Sequence, residues 1–199
     1  MKIVDRIKNI VLTPKTEWPV IAGEASTTQG LMQDYVAPLA GISAVCGFIG
    51  GSLIGVSLPI LGTVRTPIVA GIVTAIVSFA MAFVMVFVLS LIIDALAPKF
   101  GGQKNPAQAL KVAVYSFTPG WLGGILAIIP ALGLIGGLLA LYGIYLLYLG
   151  LPRLMGNPEE KSVAYTAVVV ACAIVIGFLM SLVIGGLTMV TGGPSMMGH

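Results

Sequence analysis

The sequence predicts an all-α integral membrane protein: five transmembrane helices preceded by a short amphipathic interfacial helix. Three observations lead there. Of 199 residues, 58% are hydrophobic and only 9% are charged, with a mean hydropathy of +1.07. Soluble chains carry about 25% charged residues, so so few charges could not cover a water-facing surface. The second observation is four long stretches without a charge, and the third is a one-sided distribution of Lys and Arg.

The uncharged stretches measure how much chain can sit in hydrocarbon, where a helix needs about 20 apolar residues to cross and every backbone polar group must be paired internally. Residues 35–64 and 66–93 hold one span each. Residues 112–152 are 41 positions without a charge, divided by Pro130 and Gly133. At ~1.5 Å per residue that length would cross the core twice, so it is read as two spans. Residues 162–198 hold the last. The spans are placed at about 36–61, 67–93, 109–129, 131–151 and 163–190. They follow an N-terminal arm over residues 1–34 and precede a loose tail over 191–199.

Threaded this way, Lys2, Arg6, Lys8, Lys15, Lys99, Lys104, Lys111, Arg153 and Lys161 share one side and only Arg65 lies on the other. The excess of basic residues on cytoplasmic loops then places the N-terminus in the cytoplasm and the C-terminus outside. The expected location is a plasma membrane, the inner membrane of a bacterium.

In the arm, Ile3, Val4, Ile7, Ile10 and Val11 recur at helical spacing, with Lys2, Asp5, Arg6, Lys8 and Asn9 assigned to the opposite face. That pattern predicts a helix lying on the membrane, and charges at positions 5, 6 and 8 argue against a signal peptide. Thr13 should end the helix because the residue before a proline is pushed out of the α region, and Pro14 can open the next. Trp18 suits the headgroup level. The loop from Asp94 to Lys111 is basic without interleaved aromatics and is expected to touch headgroups. Asn157 is read as the cap of the last span, with Glu159 and Glu160 in its first turn.

Within the membrane, spans pack through small residues four apart. Gly47, Gly51 and Gly55 form such a ladder in the first span and Gly177, Ser181 and Gly185 in the fifth, with shorter ladders elsewhere. They predict a tight bundle, with one ladder free for a homo-oligomer. The third span holds the clustered polarity, Tyr115, Ser116, Thr118 and Pro119. Pro119 removes a backbone hydrogen bond and should kink the helix there, a break of the kind transporters use. No ionisable residue is expected at membrane depth, whereas ion-coupled transport generally uses one.

The chemistry of catalysis is absent from the pattern. His199 is the sole histidine and there are two cysteines, Cys46 and Cys172, both inside spans. No metal cluster, nucleotide loop or nucleophile elbow can be assembled from these. Ten basic residues are too few for a nucleic-acid face. The expected protein is non-enzymatic, without cofactor or metal.

Four motifs in order, Leu12–Trp18 (L-T-P-x-x-x-W), Ala97–Gly102 (A-P-K-F-G-G), Tyr115–Pro119 (Y-S-x-x-P) and the run from Tyr142 to Leu154, give the sequence a resemblance to the Yip (Ypt-interacting protein) family, in its prokaryotic branch. The resemblance covers about residues 1–190. Eukaryotic members carry D-L-Y-G-P at the mouth of the first span; Asp34, Tyr35, Val36, Ala37 and Pro38 stand there, keeping Asp and Pro. The resemblance implies a non-enzymatic membrane organiser or adaptor that recruits lipid or protein partners on its cytoplasmic face, with Asp34 and Pro38 as candidate contacts. The other class is a small-solute or ion transporter, channel or lipid-moving protein using the break at Tyr115, Ser116, Thr118 and Pro119. A water-filled path along those residues would favour the second, and a dry packed bundle the first.

Overall fold

The computed structural model describes the backbone of residues 2–58, 62–190 and 195–196. The chain opens with two short helices, α1 (Ile3–Leu12) and α2 (Pro14–Gly23), hinged at Thr13, whose φ of −133° and ψ of 56° are non-helical. The proline rule therefore places this boundary correctly. Both helices lie against the bundle, and α2 packs along the helix that later carries Gly150.

A continuous helical rod follows from Thr28 to Ile54. It comprises α3 (Thr28–Gly30), a π-helical segment (Leu31–Val36), α4 (Ala37–Phe48) and a second π-helical segment (Ile49–Ile54). The first π segment sits just before Pro38. A proline inside a helix lacks an N–H and its ring presses on the carbonyl four residues back. Here the amide of Ala37 reaches five residues back to Met32, a widened turn that makes room for the ring. The rod ends because Gly55 has φ 86°, a conformation that a side chain resists. The first span is thus displaced toward the N-terminus from the expected 36–61.

Beyond Gly55 the structure departs from all-α. β1 (Val56–Leu58) and β2 (Gly62–Arg65) form an antiparallel hairpin with Val56 opposite Val64, and β3 (Ser195–Met196) adds to β2 with Val64 opposite Met196. Part of the expected loose tail is therefore paired; residues 191–194 and 197–199, His199 among them, lie outside the described residues.

α5 (Ile68–Leu96) continues through a 3₁₀ turn (Ala97–Phe100) that closes on Gly101 at φ 80°. Then come α6 (Pro106–Ser116) and α7 (Thr118–Leu126), separated at Phe117. A second 3₁₀ turn (Pro130–Leu132) leads into α8 (Gly133–Met155), and Gly156 at φ 69° terminates it before α9 (Glu159–Val190). α5 contacts α4, α6 and α9, and α8 contacts α2, α6, α7 and α9, so these two helices are the axes of the bundle. Among the described residues four helices are long and apolar enough to cross a membrane: Thr28–Ile54, Ile68–Phe100, Pro130–Met155 and Glu159–Leu187. The stretch expected to form the third span is instead two pieces of 11 and 9 residues.

α6 is enclosed on every side, with the eight residues from Ala109 to Ser116 all buried. The large aliphatics of α9 and of the first half of α8 face outward: Leu134 is 79% exposed and Ile174 66%. An apolar surface of that extent is what lipid, and not water, tolerates.

Candidate functional site

The sequence put Arg6 on the polar face of α1 and Trp18 at the headgroup level. The structure buries both. Positions 3, 6, 7 and 10 share one face at 3.6 residues per turn, so Arg6 lies in the stripe that carries Ile10 into the core; Ile10 and Trp18 are fully buried. The outward apolar residues of α1 are Val4 and Leu12.

Burying a guanidinium requires partners that replace water. Arg6 donates from Nη1 to Oε1 of Glu17, itself buried, and from Nη2 to Oε2 of Glu24. Its Cζ lies 5.7 Å above the ring centroid of Tyr115, a cation–π contact within the usual reach. Burial by itself would lower the Arg6 pKa. The hydrogen bond to Glu24 and the surroundings of Tyr115, Glu24 and Glu17 outweigh it and hold the pKa above its ordinary value.

Lys111 completes the cluster from below. Its Nζ donates to the carbonyl oxygens of Ile21 (2.9 Å) and Glu24 (2.5 Å), while Nε2 of Gln108 donates to that of Ala22 (2.9 Å). These carbonyls close the C-terminal end of α2, where a helix leaves acceptors unpaired and favours a cation. The lysine expected to touch headgroups is instead 4% exposed and spent on the arm.

Aromatic packing locks the same region. Tyr115 meets Trp18 edge-on at 6.3 Å and Tyr35 at 4.9 Å. The hydroxyl of Tyr35 shares a 2.9 Å hydrogen bond with that of Thr118, and Tyr142 donates to the carbonyl of Val11 at 2.8 Å. A Cβ on Gly150 would stand 2.8 Å from the Trp18 ring, so the indole occupies the space glycine leaves.

The sequence-derived residues separate accordingly. Tyr115 and Thr118 join the cluster under the arm, with residues the sequence reading did not single out as a site: Arg6, Glu17, Glu24, Lys111 and Trp18. Ser116 faces the other way, onto an apolar cavity of about 330 Å³ lined also by Phe117, Gly143, Leu147 and Ile174. Pro119 is the second residue of α7, where its missing N–H costs little; the helix breaks at Phe117, ahead of it. Asp34 is exposed on the first π segment and caps nothing, because the hydroxyl of Thr27 accepts from the amide of Gly30 at 3.0 Å. Asn157 likewise does not cap α9 as an acceptor; its amide donates to Oγ of Ser162 at 2.8 Å.

The ladders of Gly47, Gly51 and Gly55 and of Gly177, Ser181 and Gly185 do not mark the close contacts, whereas Gly124 of a shorter ladder does, since a Cβ there would overlap the hydroxyl of Ser43. A Cβ on Gly47, Gly177 or Gly185 would meet nothing within 4 Å, one on Gly51 would meet only Oγ1 of Thr66 at 3.7 Å, and Ser181 is exposed with its hydroxyl on the carbonyl of Phe178. Gly55 serves the turn. Backbones instead approach at Gly50, where a Cβ would stand 1.8 Å from the carbonyl oxygen of Ala127, and between Gly123 and Gly136. Period-four spacing identifies a stripe of small residues and says nothing of which stripe faces protein.

Residues 8–183 match the Yip1 domain. Two similar proteins are the inner membrane protein YohC of Escherichia coli strain K12 and that of strain O6:H1, each 27% identical over 183 residues, covering 90% of this chain and 92% of the relative. No solved structure matches. The match runs from within α1 to residue 183 of α9, and the chain is a membrane protein of the Yip1 family.

Proposed function

We propose that the protein is a non-enzymatic membrane organiser of the Yip type, which presents a fixed cytoplasmic face to protein partners. The observation that carries this reading is the contrast at the mouth of the first span. Every buried charge of the arm is paired within the chain, whereas the carboxylate of Asp34 is exposed and makes no ion pair among the described residues. A preformed surface with an unspent carboxylate at this mouth is suited to recognition, because little ordering entropy is lost on binding. The test is co-purification from native membranes with Asp34→Asn at matched expression. Loss of a cationic partner while the fold is retained supports the reading; an unchanged set of partners defeats it.

The topology that goes with it has five crossings. The 21 residues from Pro106 to Leu126 reach about 31 Å at 1.5 Å each, close to the ~30 Å core, so α6 and α7 together are read as the third span, with the N-terminus cytoplasmic and the C-terminus outside. α1 and α2 then lie at the cytoplasmic interface, docked on the bundle. Reporter fusions after Gly102 and Asn157 should read cytoplasm and one after Thr63 outside. A reversed signal at Asn157 would replace this topology with four crossings.

A path for solutes through the broken third span has weaker support. Tyr115 and Thr118 are consumed by contacts with Arg6, Trp18 and Tyr35, and the cavity beside Ser116 is apolar.

A further inference from the structure

A cavity of about 350 Å³ opens between α2, α8 and the start of α9, lined by Lys15, Trp18, Tyr148, Arg153 and Glu159. Below it a furrow of about 510 Å³ runs between α8 and α9 past Leu141, Ile144, Val163, Thr166 and Val170. Tyr145 and Tyr148 line both, so the two are continuous. The upper part is ionic and aromatic, the lower part aliphatic.

That sequence of surfaces matches an amphiphile. From Arg153 to Leu141 along α8 is 12 residues, or about 18 Å at 1.5 Å per residue, close to the ~15 Å half-thickness of the hydrocarbon core. The furrow therefore has the depth of one leaflet. The lining charges are Lys15 and Arg153 against Glu159, which leaves one net positive charge. Arg153 meets Glu159 at 3.6 Å with both side chains largely exposed, an ion pair too loose to hold the guanidinium. Lys15 makes no ion pair among the described residues. Two buried polar atoms of lining residues have no hydrogen-bond partner among the described residues, Nε1 of Trp18 and Oγ1 of Thr166, whose residue is 6% exposed.

We infer that this site holds one glycerophospholipid of the phosphatidylglycerol class, its single phosphodiester charge between Lys15 and Arg153 and an acyl chain in the α8–α9 furrow. The ester carbonyls lie at the depth of the tyrosines, where amphipathic rings favour the interface. The lipid joins the arm to α8 and α9 and meets the cluster under the arm only at Trp18.

The test is native mass spectrometry of the full chain in detergent with an equimolar mixture of phosphatidylglycerol and phosphatidylcholine. The wild type should retain one phosphatidylglycerol. At about fivefold per cation near an anionic headgroup, Lys15→Ala with Arg153→Ala should weaken retention roughly thirtyfold. Lys99→Ala with Lys104→Ala, which removes the same charge elsewhere, should leave it unchanged. Val163→Trp fills the furrow from an exposed position and should displace the lipid with both cations intact. Equal retention by the wild type and the Lys15/Arg153 variant, equal retention of both lipids, or an unaffected Val163→Trp would each overturn the inference. So would displacement by inorganic phosphate, since the site would then bind a free anion.

Discussion

The two ends of the bundle are built by different means. At the end that carries the arm, side chains interlock: Trp18, Ile10, Ile93, Tyr165 and Met155 are almost fully buried, Tyr165 donates to the carbonyl of Ile93 and stacks on Phe100 at 4.8 Å, and Arg6, Glu17 and Lys111 are buried beneath, with the exposed Glu24 completing a neutral cluster. At the end that carries the ribbon, backbones meet with little between them. Gly50 abuts the Ala127 backbone and Gly123 that of Gly136, Gly71 admits the side chains of Ser52 and Phe48, and a cavity of about 400 Å³ lies among the small residues of α4, α5 and α7. Long side chains make a contact specific, because each must find a particular partner; glycine contacts only set how near two helices come. The end richest in specific contacts is the one whose arm must hold a definite position against the bundle.

Breaking a buried ion pair should separate the two ends most. Arg6→Ala leaves the carboxylate of Glu17 buried without its cation, at an expected cost of about 3–5 kcal/mol. Thermal unfolding in detergent should show the largest loss for this variant, and Arg6→Leu combined with Glu17→Leu should regain most of it. A single variant that melts like wild type would mean that the arm contributes nothing to the fold.

At the ribbon end the largest effect should follow steric contact and ignore spacing. Gly50→Ala places a methyl group against the Ala127 carbonyl and should cost about 1–3 kcal/mol. Gly51→Ala, next along the chain and inside the expected ladder, should be nearly silent in the same melting assay. The reverse order would restore the ladder of Gly47, Gly51 and Gly55 as the packing face.

A smaller effect belongs to the hydroxyl pair that joins the first rod to the break. Tyr35→Phe removes one partner of the 2.9 Å bond to Thr118 and strands the other, for about 1–3 kcal/mol. Adding Thr118→Val should recover part of the loss, which a double-mutant cycle would read.

The smallest difference is at the mouth of the first span. Thr27 and not Asp34 caps the rod, so Thr27→Ala should cost about 1 kcal/mol. Asp34→Ala should change stability by less than half of that, surface substitutions being within ~0.5 kcal/mol. A loss of 1 kcal/mol for Asp34→Ala would return the capping role to the carboxylate.

Much of this architecture is legible in the sequence for a simple reason: hydrocarbon forbids unpaired backbone groups and charges, so composition and charge spacing alone mark most of what can enter it. The helices from Ile68, Pro130 and Glu159 fall close to their expected places. Thr13 ends α1 because the constraint at a residue before proline is local. The stretch expected as a third span resists reading because its break, at Phe117 and not at the expected Pro119, divides it into pieces that only their neighbours support. The end of the first span at Gly55 was hidden among many glycines of the same appearance. Asp34 and Pro38 were visible as a motif, but the π turn that accommodates Pro38 was not.

Solvent preference was therefore determined by the sequence alone: a membrane protein, its helical rods and its Yip1 membership. Tertiary structure alone decided partnership. Arg6, Trp18 and Lys111 each carry a polar group that either water, a headgroup or a buried partner could satisfy, and a linear pattern does not distinguish these. Only when α2 lies across α8, with Gly150 leaving room for the indole and Glu17 and Glu24 turned to the guanidinium, is burial cheaper than exposure. The contacts responsible join distant residues, 131 positions apart between Tyr142 and Val11, and no local rule reaches that far.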